Sequence, residues 1–79
     1  MANALYTKLV TTVSGYIGPE KATNAINRQL NRCQATPDTV TAEHLRNLMN
    51  YVTAATTLFL HPDKAKQEEL TVKIKSLVG

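Results

Sequence analysis

Apolar side chains recur along the first segment at Ala2, Leu5, Tyr6, Leu9, Val10, Val13, Tyr16 and Ile17. Steps of three residues and one residue hold them to a single stripe of a helix, a spacing that an alternating strand cannot produce. Asn3, Thr7, Lys8, Thr11, Thr12 and Ser14 fall on the opposite face. The β-branched positions lower intrinsic helix propensity, so this segment depends on tertiary contacts. Gly18-Pro19 then interrupts the pattern. Gly18 suits the end of one helix, and Pro19 suits the first position of the next, where its missing N–H is not needed. The second helix turns Ala22, Ala25, Ile26, Leu30 and Cys33 inward, and Lys21, Asn24, Asn27, Arg28, Asn31 and Arg32 outward. So short a connection packs the first two helices as an angled or antiparallel pair.

A connector over 34–40, centred on Thr36-Pro37-Asp38, separates the two halves of the chain. Thr41 is a good N-cap, and Val40 with Leu45 has the spacing of a hydrophobic staple. Beyond it, Leu45, Leu48, Met49, Val52, Ala55 and Phe59 form an inward stripe at helical spacing. A second stripe, Tyr51, Ala54 and Leu58, widens the apolar arc of this third helix beyond what one core face needs. His61-Pro62-Asp63 ends it and opens the last helix, whose stripe is Leu70, Ile74, Leu77 and Val78. Acidic residues early in that helix and lysines late in it agree with the helix dipole. The pattern therefore predicts an all-α fold: one domain over 1–79, a small bundle of about four amphipathic helices at approximately 2–17, 19–33, 42–60 and 63–78.

Composition narrows the function classes. A chain of 79 residues buries only roughly 60% of its unfolded surface, so it relies on good helix packing or on self-association. The single Cys33 forms no internal disulfide, and with His44 and His61 far apart no zinc site is expected. No cofactor is expected either, because the only glycines are Gly15, Gly18 and Gly79 and make no phosphate loop. The run from Tyr51 to Leu60 is too short to span a bilayer and is broken by three threonines. No secretory signal is visible, and a lone thiol points to the cytoplasm. The net charge of +3 is mildly basic and short of the dense patches of dedicated nucleic-acid binders.

Catalysis finds little support. Cys33, Asp38 and His44 flank one connector, but helical periodicity turns Cys33 inward, where thiols are inert. His61-Pro62-Asp63 resembles the tripeptide in the interhelical loop of J-domain cochaperones, and that resemblance implies stimulation of a heat-shock ATPase partner. It covers three residues, or four with Lys64. The segment before it carries only Arg46, where that family places several basic residues, and a Pro-Asp helix start explains the same residues. Two surfaces remain. The arc of Tyr51, Ala54 and Leu58, with Tyr6, fits a protein contact, including one with a second copy of the chain, because tyrosine brings large area with a polar tip. Lys21, Asn24, Arg28, Asn31 and Arg32 are side-chain types that neutralise phosphates or read base edges. The sequence thus favours a self-associating interaction or oligomerisation module, a homodimer acting as scaffold, adaptor or regulatory subunit, with a weak nucleic-acid-binding regulator using the polar face of the helix at 19–33 as the alternative.

Overall fold

The structure, a computed structural model, describes residues 3–78. Among them there are five α-helices and no strand: α1 (Ala4–Ile17), α2 (Pro19–Leu30), α3 (Ala42–Asn47), α4 (Met49–Thr57) and α5 (Lys64–Val78), with 3-10 turns at Asn31–Cys33 and Leu58–Leu60. Ala2, where the sequence pattern starts the first helix, lies outside the described residues. Helix α1 packs on α2 and α5, and α4 packs on the same two. The four long helices therefore close a ring, α1–α2–α4–α5, with short α3 against α4 and α5 at one end. An all-α bundle is what the hydrophobic periodicity predicts.

The helix ends follow local chemistry. Asn3 caps α1 by accepting the Tyr6 N–H at 2.8 Å, and its amide donates to Val40 O at 2.7 Å, which ties the helix start to the connector. Gly18 ends α1 at φ 92° and ψ 153°, a region closed to side-chain-bearing residues, and Pro19 starts α2 at once. After the 3-10 turn, Gln34 takes a left-handed φ of 59°, and Ala35 N–H bonds back to Leu30 O at 3.0 Å. Thr41 caps α3 through a capping box completed by His44: Thr41 Oγ1 accepts the His44 N–H, and His44 Nδ1 accepts the Thr41 N–H, both at 3.2 Å. Val40 and Leu45 are both buried, as the staple spacing predicts.

The third predicted helix differs from the single run over 42–60. It bends at Leu48 (φ −97°, ψ 3°) and tightens into 3-10 geometry after Thr57. Three threonines account for part of this, because Thr53, Thr56 and Thr57 each bond back to the carbonyl four residues earlier, a habit that bends helices. Gln67 Nε2 then satisfies the terminal Thr57 carbonyl at 3.0 Å. The core stripe runs Leu45, Leu48, Val52, Thr56 and Leu60, not through Ala55 and Phe59 as the apolar spacing suggests. Thr56 is fully buried at no polar penalty, since its hydroxyl is bonded to Val52 O. Leu9, Val13, Ile26, Leu30, Leu70 and Ile74 supply the rest of the centre. The last helix begins one residue later than predicted, with Asp63 outside it and its carboxylate accepting the Lys66 N–H at 3.1 Å. The acid of the His-Pro-Asp tripeptide is thus a helix cap.

Candidate functional site

Helices α2 and α4 lie side by side and antiparallel, since Lys21 at the start of α2 meets Phe59 after α4, and Arg32 after α2 meets Tyr51 at the start of α4. Between them is a cleft of about 320 Å³ lined by Lys21, Asn24, Ala25, Arg28, Gln29, Ala55, Leu58 and Phe59. Buried Ala25 and Gln29 and half-buried Ala55 line it between the helices, and Leu58 and Phe59 form one wall. Lys21, Asn24 and Arg28 form the other. Three large apolar side chains stand out of the core on this side, Tyr51 at 50%, Leu58 at 68% and Phe59 at 47% exposure.

Both aromatic rings carry cations. Lys21 Nζ lies 5.4 Å from the Phe59 ring centre, and the Arg32 guanidinium 4.3 Å from that of Tyr51. Such contacts are worth roughly 0.5–1 kcal/mol at exposed sites, enough to bias the side chains and too little to fix them. Arg32 is held further by its Nε, which donates to Gln29 Oε1 at 2.8 Å, and Gln29 is buried in the wall of the cleft. Among the described residues the one ion pair is Lys73 with Glu69, so Lys21, Arg28 and Arg32 keep their charge unneutralised by carboxylate.

The two surfaces that the sequence separates are therefore one. Tyr51 and Leu58 of the apolar arc share a face with Lys21, Asn24, Arg28 and Arg32 of the polar set. Ala54 is exposed on α4 but does not line the cleft, and Asn31 is exposed in the 3-10 turn beyond α2. Tyr6 is a correction: it is buried on the α1 stripe with Leu9 and Val13, and its hydroxyl donates to Asn27 Oδ1 at 2.7 Å. It is a core residue and offers no contact surface. Asn27 and Gln29 are likewise withdrawn from the outward face of α2. Phe59, assigned inward by its spacing, is the residue that sequence reasoning missed; the core stripe's continuation through Thr56 to Leu60 leaves it outside.

A second cleft, of about 490 Å³, lies between α1 and α5 on Thr12, Gly15, Tyr16, Lys66, Glu69 and Lys73. Its groups satisfy one another. Tyr16 donates its hydroxyl to Glu69 Oε1 at 2.6 Å, Lys73 Nζ lies 3.4 Å from the same oxygen, and the ammonium sits 5.0 Å from the Tyr16 ring centre. The Tyr16 hydrogen bond, then Lys73, hold the Glu69 carboxyl below its ordinary value, and Tyr16, then Glu69, hold the Lys73 ammonium above its own. Cys33 is half-buried against the core. Among the described residues no helix is long and apolar enough to cross a membrane. In comparisons with known proteins, no family model, no curated protein and no solved structure matches this chain.

Proposed function

We propose that this chain is a protein-interaction module, a scaffold, adaptor or regulatory subunit, whose working surface is the α2–α4 face. The observation that carries the reading is the exposure of Tyr51, Leu58 and Phe59 on one side of the chain, each about half exposed or more, with Leu58 and Phe59 lining the cleft and Tyr51 standing beyond it under Arg32. Fully covering a large apolar side chain contributes roughly 1.5–3 kcal/mol, so covering the exposed parts of three contributes about 2–5 kcal/mol. Association costs on the order of 4–15 kcal/mol in lost freedom. The apolar anchors alone do not hold a partner, and the charged rim must contribute. That balance describes a reversible contact.

The rim also bears on the kind of partner. A two-fold self-contact through this face would set Lys21, Arg28 and Arg32 against their own copies, and like charges brought together at an interface cost several kcal/mol. A heterotypic partner is favoured over a homodimer built on this surface. The second reading, a nucleic-acid-binding regulator, is favoured by the interleaving of cations with aromatic rings, a composition that single-strand binders use. Three cations give a salt dependence of only about −2 in logarithmic slope, so binding at physiological salt would be weak.

Panning an unbiased peptide library against the protein tests the proposal. Leu58→Asp, which alters an exposed residue, is expected to abolish binding of the selected peptides. Val72→Asp, at a 64%-exposed position on α5 away from the cleft, is expected to leave it intact. Peptides indifferent to Leu58→Asp refute the assignment of the surface. For the nucleic-acid reading, a labelled single strand titrated between about 50 and 200 mM salt decides, and no binding at the lower value removes it.

A further inference from the structure

We infer that the occupant of the α2–α4 groove is an acidic amphipathic helix of another protein, laid along the groove with apolar anchors on Leu58, Phe59 and Tyr51 and carboxylates on Lys21, Arg28 and Arg32. This rests on the reading of that face as the contact surface and adds the chemistry of the partner. Three observations point to it.

The first is the shape of the groove. Its lining on α2 runs from Lys21 to Gln29, and Arg32, over Tyr51 in the following 3-10 turn, lies beyond that end, eleven residues and roughly 16 Å from Lys21 at about 1.5 Å per residue. A bound helix of about three turns covers that length. Tyr51 on α4 and Leu58 in the 3-10 turn that follows it are seven residues apart, a separation comparable to the i and i+7 anchors of a partner helix.

The second is the backbone. Both walls are helices whose N–H and C=O groups are bonded within the helix, so the face offers no strand edge for an extended peptide to pair with. An extended segment docked here would leave its backbone groups to water, whereas a helix satisfies its own and lays side chains along the groove.

The third is charge. No carboxylate among the described residues pairs with the three rim cations. Lys21 moreover stands in the first turn of α2, where a positive charge opposes the helix dipole, so helix stability does not account for it. A partner that brings carboxylates neutralises all three.

The test uses the full chain and three synthetic helical peptides: one with leucines at i, i+3 and i+7 flanked by glutamates, the same leucine pattern flanked by lysines, and the glutamate peptide scrambled so that no apolar face forms. Affinity is read by calorimetry, and the site by amide shifts at Ala55, Leu58 and Phe59. The acidic amphipathic peptide is expected to bind at those residues and to weaken about three- to tenfold with Arg28→Glu. The lysine peptide is expected to bind only the Lys21→Glu/Arg28→Glu double variant, a rescue that a merely destabilised fold would not show. Equal binding of the lysine or the scrambled peptide to the wild type overturns the inference, as does tighter binding of a single-stranded oligonucleotide at the same residues. Should the lysine peptide bind equally and lose binding with Leu58→Asp, the contact face stands and the acidic partner falls. Should no peptide shift those residues while panned ligands do, the helical occupant alone is refuted. If panned ligands avoid the face as well, both readings fail.

Discussion

Truncating Val52 on α4 and Leu58 in the 3-10 turn after it to alanine separates core from surface on one stretch of chain. Val52 is 1% exposed, and Val52→Ala removes two buried methyl groups, about 1.6 kcal/mol at roughly 0.8 kcal/mol each; with a cavity that relaxes only in part, the total is about 2–3 kcal/mol. Leu58→Ala removes three carbons, about 2.4 kcal/mol if they were fully buried. With Leu58 68% exposed, only about a third of that counts, roughly 0.8 kcal/mol, and alanine's better helix propensity offsets part of it. A domain of 79 residues has about 4–12 kcal/mol of total stability, so the first variant loses a large share of it and the second little. Urea unfolding followed by far-ultraviolet circular dichroism measures both. At a slope of about 1 kcal/mol per molar, the midpoint should fall by about 2–3 M for Val52→Ala and by less than about 1 M for Leu58→Ala, with slopes unchanged. Equal losses would mean that Leu58 is covered in the folded protein, and the exposed face on which the functional reading stands would be gone.

Three further perturbations test separate links. Gly15→Ala and Gly18→Ala are the same substitution with opposite expected signs: neither added methyl meets an atom within 4 Å, but Gly15 is helical in the last turn of α1, where alanine stabilises by at most roughly 0.5–1 kcal/mol, while Gly18 at φ 92° makes alanine cost about 1–3 kcal/mol. Thermal unfolding reads both, and a gain at Gly18 would contradict the chain path between α1 and α2. Tyr6→Phe should cost about 1 kcal/mol, or about 4–8 °C in Tm, through loss of the hydrogen bond to Asn27; an unchanged Tm would show that hydroxyl to be solvated. Tyr16→Phe should raise the Glu69 carboxyl toward its ordinary value in a pH titration followed by NMR. The lowered Glu69 contributes stability above the ordinary carboxyl value and loses it as pH falls through the lowered one, while the raised Lys73 contributes below the ordinary lysine value and loses it as pH rises through the raised one. The cluster is thus intact across neutral pH, and a Glu69 titration indifferent to Tyr16→Phe would remove it.

Most of the fold is legible in the chain because each helix announces itself twice, by its stripe and by its ends. Gly18-Pro19 and Thr41 act as their residue types dictate, and Leu9, Val13, Ile26, Leu30, Leu70 and Ile74 are buried where period 3.6 puts them. Reading fails where polarity stands in for position. Thr56 is a core residue because its hydroxyl bonds within its own helix, and Tyr6 because Asn27 meets its hydroxyl; neither partnership is written in the local pattern. Once Thr56 is admitted to the stripe, Phe59 is left outside and the apolar surplus moves toward α2. Apolar counting alone could not find that shift.

The ring of helices explains why one seam rather than the other is open to a partner. Across α1 and α5, Tyr16, Glu69 and Lys73 form a closed cluster, in which a carboxylate takes up both a hydroxyl and an ammonium. Across α2 and α4 the corresponding cations find only aromatic rings, which attract a charge without neutralising it. The first seam has its carboxylate paired within the chain, and its larger cleft is polar, with Lys66 the lining cation outside the cluster. The second keeps three positive groups beside three exposed apolar ones; the α2 dipole favours Arg28 and Arg32 at its C-terminal end, but it opposes Lys21, and no carboxylate among the described residues pairs with any of them. A ligand bearing carboxylates and a greasy edge improves the second seam on both counts, whereas the lining of the first holds no exposed large apolar side chain for the greasy edge to cover.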